Sequence, residues 1–417
     1  MKKISFISLF ISFLFTAGAQ TIKNANLIIG KVDSIHSKIL NENRQVWIFL
    51  PASANNVIYA RQHYPVLYLL DAEDHFMSVT AMIQQLSEVN GNTVIPEMIV
   101  VGITNTDRTR DLTPTNSLIG FNGKTNPELK TSGSGEKFAA FIEKELMPHI
   151  DSLYAPSPYK VIIGHSLGGL EVMNILVHHP NLFNAYVAID PSMWWDSRKL
   201  LNETKTVLTQ KRFEGRSLFL AIANTMPWGM DTMKARKDTS AATIHIRSIL
   251  TLNEAIRSNA ANGLTFAYKY YNEDNHESVP LIAAYDALHF LFNGFGFTAD
   301  ELAKFFDLTV KVDAATLISD HYQRISKQMG YKVLPPQPLI GLIGRSLLVK
   351  NMPEQAYSVF SLYLRSYPDS FNANDSLGDY YKSKGDKQKA IEYYSKALAI
   401  LENSDTRAKL KQLQENN

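Results

Sequence analysis

Ser166 is the residue whose setting most plainly offers chemistry. It lies in Val161-Ile162-Ile163-Gly164-His165-Ser166-Leu167-Gly168-Gly169, a G-x-S-x-G pattern directly after an apolar run and before a helix-like stretch, Leu170 to His178. A strand-to-helix turn this tight brings backbone close to backbone, which the flanking glycines permit, and lifts the serine hydroxyl above the sheet edge. The Leu167 amide, at the start of the following helix, then points to where an oxyanion would develop. A glycine-rich turn carrying an idle serine is the bland reading of the same residues. The strand–helix context and the extra Gly169 favour the nucleophile.

A serine hydroxyl needs a base to attack. Downstream histidines are His178, His179, His245, His276, His289 and His321. His178 and His179 end the helix that starts at the nucleophile and point away from its tip. His245 and His289 fall inside helical patterns. His276 lies in the polar loop Asn272-Glu273-Asp274-Asn275-His276-Glu277-Ser278, just after the apolar run Leu264–Tyr270. A loop after the last strand can deliver a base to the serine, so His276 is the expected one. The orienting acid stands between serine and histidine in chain order and is expected after the run Leu218–Ala223. Asp238 is preferred because it adjoins the helix starting near Thr239, where it could also be an N-cap. Asp231, in the loop Met226–Lys237, is the alternative. The second oxyanion donor is expected after the early strand Tyr64–Leu70: the Glu73 amide first, the Ala72 amide next.

These residues require a frame. Val66–Leu70, Met98–Ile103, Val161–Ile163, Ala185–Ile189, Leu218–Ala223 and Leu264–Tyr270 are short apolar runs without alternation, as suits strands buried on both faces. Ser34 to Leu50 reads as strands separated by the turn Asn41-Glu42-Asn43. Helical faces lie between, such as Phe138, Phe141, Ile142, Leu146 and Ile246, Ile249, Leu250, Ile256. Strands alternating with helices indicate an α/β protein with a mostly parallel sheet. Thr113 to Gly135, rich in Thr, Asn, Ser and Gly, reads as a long surface loop near the site: either a lid or an insertion without a role. Trp194, Trp195 and Trp228, with His75 and Phe76, are expected at the rim, where they hold an aryl or sugar-bearing ester or simply pack the loops. Arg108 and Arg110 have two readings, as holders of an anionic substrate or as a structural salt-bridge loop.

The chain has 417 residues, 45% hydrophobic and 20% charged, with net charge +2. That suits a soluble globular protein and gives no argument for nucleic acid. Cysteine is absent, which removes disulfides, a thiol nucleophile and thiolate metal ligands. No metal site, H-E-x-x-H motif or phosphate-binding loop is found, so no cofactor is expected. Residues 1–19 read as a signal peptide: Lys2 and Lys3, the apolar run Ile4 to Phe15, then Ala17-Gly18-Ala19. A periplasmic or secreted protein with no span in the mature chain is expected.

Beyond Thr298 the pattern turns helical. After Leu334-Pro335-Pro336-Gln337-Pro338, a 34-residue period sets Gly344 against Gly378, Leu347 against Tyr381, Ala356 against Ala390 and Phe360 against Tyr394. This resembles the tetratricopeptide repeat. Two repeats are few for a free-standing array, so they are expected to pack on the helices before them and to offer a face for a protein partner or a second copy of the chain. The expected division is 1–19 signal peptide, 20–300 catalytic domain, 301–335 helical linker and 336–410 repeats.

From about Ser34 to Phe292 the chain resembles the putative esterase family of α/β-hydrolases, the group of esterase D and the enterochelin esterases. Tyr64-Pro65-Val66-Leu67-Tyr68-Leu69-Leu70-Asp71, Val101-Gly102-Ile103, the Gly164–Gly169 turn, Ser192-Met193-Trp194-Trp195 and Asn275-His276-Glu277-Ser278-Val279-Pro280 carry the likeness, in the family's order. Ala72 departs from it, where the family often has Gly. The resemblance implies the α/β-hydrolase fold and hydrolysis of a small-molecule carboxylic ester, without fixing which ester. Acyl transfer to another hydroxyl is the alternative within enzymes. A repeat-based scaffold with an inactive hydrolase frame is the alternative outside them.

Overall fold

The computed structural model describes residues 27–307, 309 and 312–415. The signal-peptide reading falls on residues 1–19, outside the described set. Every one of the six apolar runs forms a strand. With the N-terminal pair they make one eight-stranded sheet in the order β1-β2-β4-β3-β5-β6-β7-β8. β1 (Lys31–Ser37) and β2 (Glu42–Phe49) pair antiparallel around a turn in which Asn41 has φ 55°. β2 is also antiparallel to β4 (Ile99–Ile103). β3 (Val66–Leu69), β4, β5 (Lys160–His165), β6 (Ala185–Ile189), β7 (Ser217–Ala223) and β8 (Thr265–Tyr271) are mutually parallel.

Side chains alternate across a strand, so each buried run feeds two layers. Leu67, Leu69, Val161, Ile163 and Val187 face a layer built on the helices Ala72–Ser87 and Val279–Leu291. Val66, Tyr68, Ile162, Tyr186 and Leu220 face the opposite layer, with Leu167–His178, Trp195–Gln210 and Ile244–Ser258. This is the α/β-hydrolase arrangement: a mostly parallel sheet with helices on both faces. Parallel strands place all their carboxyl ends on one edge, and Ser166, Asp190 and the His276 loop all follow strand ends there.

The first layer continues without a break into the C-terminal helices. Ile318, Tyr322 and Ile325 of the helix Ala314–Met329 belong to the same apolar cluster as the sheet, and so do Ile340, Leu347, Phe360, Tyr363 and Leu377. Gln337 is fully buried. Its amide grips both backbone groups of Ala60, accepting from the N–H at 3.1 Å and donating to the carbonyl at 2.8 Å. The all-helical region comprises Gln337–Val349, Pro353–Ser366, Phe371–Ser383, Lys387–Ile400 and Ser404–Glu415. Its 34-residue period is a period of packing. A Cβ at Gly344 would strike the Phe360 ring, and a Cβ at Gly378 would strike the Tyr394 ring, so the same close helix approach occurs twice. Among the described residues, no helix is long and apolar enough to cross a membrane.

Candidate active site

Ser166 sits at the end of β5 with φ 59° and ψ −113°. A positive φ is uncommon for a residue with a side chain, and three backbone hydrogen bonds hold it. The Ser166 N–H donates to the Ile189 carbonyl at 3.0 Å, and the Ser166 carbonyl accepts from Leu170 and Ser192, each at 3.0 Å. The turn closes so tightly that a Cβ at Gly164 would collide with the Gly168 carbonyl. The glycines that flagged this run in the sequence are therefore steric requirements.

His276 reaches the serine as expected: its Nε2 lies 3.0 Å from Ser166 Oγ. Its loop is braced internally. Ser278 Oγ donates to Asp274 Oδ1 at 2.9 Å, Asn275 Oδ1 accepts from the amides of Glu277 and Ser278 at 3.0 Å each, and Asn224 holds the Asn272 and Asp274 carbonyls.

The choice of acid is corrected by the structure. The carboxylate on His276 is Asp190, whose Oδ2 lies 2.6 Å from Nδ1. Asp190 directly follows β6, has φ 41° and is fully buried. Burial alone would raise its pKa. Hydrogen bonds from His245 and His276, and from the Ala223 N–H at 2.9 Å, reverse this and hold it well below the ordinary carboxylate range. Asp238 instead accepts from Ser240 Oγ at 2.5 Å and Thr243 Oγ1 at 2.6 Å, which pulls its pKa down to about 2. It ends one helix and steadies the entry to the next. Asp231 is the N-cap of Thr232–Lys237, accepting from the Lys234 N–H at 2.8 Å. Neither touches His276. In the sequence Asp190 is a carboxylate immediately after an apolar run, one strand earlier than the junction expected to carry the acid.

His245, which falls in a helical pattern, occupies the first turn of Ile244–Ser258, where that helix meets the sheet edge. Its Nε2 lies 2.7 Å from the same Oδ2 of Asp190. Asp190, His245 and His276 thus bring three ligand-type atoms within 4.8 Å of one another. At 2.6 and 2.7 Å, the imidazole–carboxylate contacts are direct hydrogen bonds. His165 packs its ring 4.5 Å from that of His276. Burial, with His276 beside it, pushes its pKa down to about 3, so it is a neutral wall and not a base at neutral pH.

Leu167 and Glu73, the expected oxyanion donors, each lie in the first turn of a helix, Leu167–His178 and Ala72–Ser87. First-turn amides have no intrahelical acceptor. The two helix starts adjoin: a Cβ at Gly168 would lie 3.1 Å from Asp71 Oδ2. Arg108 grips Asp71 at 2.7 and 2.9 Å and reaches the His165 carbonyl at 3.3 Å, so it fastens the two loops together. Arg110 pairs with Glu42 and Asp111 at 2.7 Å each, beside the buried Arg44. The salt-bridge reading of this segment is the one the structure bears out.

The Thr113–Gly135 segment is pinned. Trp195 Nε1 donates to the Thr115 carbonyl at 3.1 Å, and Asn116 Nδ2 donates to the Ser132 carbonyl at 2.9 Å. Its Phe121 stands edge-on to Trp194 at 5.4 Å and to His245 at 6.1 Å. Trp195 is buried and packs this loop, whereas Trp228 is fully exposed. Phe76 is a core residue under Gly102. A cavity of about 680 Å³ opens at the other end of the sheet, lined by Tyr64, Glu97, Ser157, Tyr331 and Leu334. It borders the amino ends of the strands, whereas ligands in open α/β sheets bind at carboxyl ends.

The chain is similar to several known proteins. The family described as "Putative esterase" matches residues 37–237. The ferri-bacillibactin esterase BesA of Bacillus subtilis is 30% identical over 229 residues, spanning 52% of this chain and 77% of BesA. The siderophore enterobactin esterase of Emericella nidulans is 27% identical over 156 residues, spanning 34% of this chain and 51% of that protein. Among solved structures, an IroE-like serine hydrolase from Shewanella oneidensis superposes with a TM-score of 0.69 at 32% identity, covering 81% of this chain and 99% of its own.

Proposed function

The chain belongs to the putative esterase family of α/β-hydrolases and is a carboxylic ester hydrolase; from that premise we propose that it works through an acyl-enzyme on Ser166. The observation that carries the reading is the continuous relay from Ser166 Oγ to His276, 3.0 Å, and from His276 to Asp190, 2.6 Å. As Ser166 Oγ attacks the ester carbonyl carbon, His276 Nε2 takes its proton. Asp190, ionised and acceptor-only, keeps the other proton on Nδ1 and stabilises the imidazolium. The Leu167 and Glu73 amides receive the oxyanion, with Ala72 the next candidate. Collapse of the tetrahedral intermediate expels the alcohol, which takes the proton from His276. Water then attacks the acyl-enzyme, gives its proton to His276, and the acid leaves as Ser166 recovers its hydrogen.

The substrate is proposed to be an ester of a siderophore. What supports this is the 30% identity to the Bacillus subtilis ferri-bacillibactin esterase. Phe121, which stands against His245, and Trp194 beside it also offer flat faces to aryl groups. Residues 1–19 are proposed to direct export, with cleavage after Ala19 and a periplasmic or secreted product. The C-terminal helices are proposed to be tetratricopeptide-like, with a protein partner or a second copy of the chain as the occupant of their free face. Ser166→Ala should abolish release of p-nitrophenol from an acyl ester and labelling by a fluorophosphonate, with the circular-dichroism spectrum unchanged. Turnover above buffer background in that variant would end the nucleophile assignment. A panel of siderophore, feruloyl and acetyl esters tests the substrate class.

A further inference from the structure

We propose that His245 is a positioning residue of this site: its Nε2–H, given to Asp190 Oδ2, shares the carboxylate with His276 and fixes how strongly Asp190 holds the base. The inference rests on the Ser166–His276–Asp190 relay and adds a fourth member to it.

Asp190 is fully buried, and three donors converge on its two oxygens. Ala223 N–H serves Oδ1 at 2.9 Å; His276 and His245 share Oδ2 at 2.6 and 2.7 Å. A buried carboxylate stays charged only when such donors replace its hydration. His245 is placed for this alone. It is nearly buried, stands edge-on to His276 with ring centroids 5.0 Å apart, and has Phe121 over its outer side. It makes no contact with Ser166. The titratable groups facing the pair are few. His276 meets His165 from β5, Asp190 after β6 and His245 from its helix, with His75 behind His165. Arg247 and Asp238, nearby in sequence, are engaged at the helix entry: Arg247 donates to the Asp238 carbonyl and to Thr243 Oγ1, and the Asp238 carboxylate accepts from the Thr243 hydroxyl.

Two donors on one oxygen compete. Removing His245 leaves more of the carboxylate's charge to His276, which stabilises the imidazolium and raises the pH at which the base becomes free. It also frees the Asp190 side chain to rotate, which loosens the imidazole. Loss of a charge-assisted hydrogen bond of this kind costs about 10- to 100-fold in activity.

The tests use the full chain and p-nitrophenyl butyrate. Nitrogen-15 histidine NMR of the wild type should show a proton on His245 Nε2 from pH 6 to 9. A bare Nε2 in that range would overturn the proposal without any substitution. His245→Leu should lower kcat about 10- to 100-fold with little change in KM, and should move the acid limb of kcat/KM up by about half to one pH unit. His245→Gln, which keeps a donor near the Nε2 position, should recover most of kcat and return the limb. A wild-type kcat and pH profile in His245→Leu sinks the proposal, as does equal loss in both variants, which would mean packing alone. Failure of the underlying relay is seen elsewhere, as full activity in Asp190→Asn or Ser166→Ala.

Discussion

Replacing Asp190 with Asn separates the acid that the structure brings to His276 from the one expected in the sequence. Asp190 presents two acceptor oxygens to three N–H donors. Asn offers one oxygen and one NH2, so at least one donor must meet another donor. If the amide oxygen stays on Ala223, the NH2 faces both imidazoles. His276 must then turn a bare Nδ1 to it, carry its proton on Nε2, and so present Ser166 with a donor in place of a base. Loss of the correct tautomer in a Ser-His-Asp site costs about 10⁴-fold in kcat. If the oxygen instead faces the histidines, the tautomer survives. The charge-assisted bond of about 1.5–3 kcal/mol is then weakened, a loss of about 10- to 100-fold, and a buried Ala223 N–H is left unpaired at a cost of about 1–3 kcal/mol of stability. Either orientation lowers kcat by at least about tenfold, with KM little changed. Asp238→Asn weakens hydroxyl contacts and a 3.9 Å ion pair with Arg247 at a helix entry and should leave kcat near that of wild type. Steady-state hydrolysis of p-nitrophenyl butyrate, with thermal melting as the fold control, reads both. A crippled Asp238→Asn beside an active, folded Asp190→Asn would refute the reasoning.

Burial pushes the Glu97 pKa up to about 7, partly offset by the Ser53 hydroxyl at 2.7 Å. A raised carboxyl pKa favours folding below the unfolded value of about 4.3, and that advantage is lost as pH rises through about 7. Glu97→Gln should therefore raise stability relative to wild type at pH 8, by up to about 3 kcal/mol, and not at pH 4, as read by urea unfolding at the two pH values. Gly344→Ala and Gly378→Ala force a methyl into the buried Phe360 and Tyr394 rings and should each cost about 1–3 kcal/mol in thermal unfolding, while turnover of a small ester stays near wild type.

The local chemistry was written in the sequence wherever a residue's role follows from its neighbours in the chain. Apolar runs without alternation can satisfy themselves only between two helical layers, so the strands and the α/β class were legible. Gly164-His165-Ser166-Leu167-Gly168 declares its turn because no other residue at 164 fits beneath the Gly168 carbonyl. His276 was legible because a polar loop after the last strand has one place to go. The acid was not, since it depends on which strand lies beside which. The pairing of β6 with both β5 and β7 puts Asp190 between Ser166 and the His276 loop, whereas Asp238 follows a helix that leads its carboxylate back to Ser240 and Thr243. His245 was hidden for the same reason: a histidine in a helix reads as packing until the helix start is seen to meet the sheet edge. Chain order fixes the sequence of catalytic parts, but only strand order in the sheet brings a carboxylate within 2.6 Å of an imidazole 86 residues away.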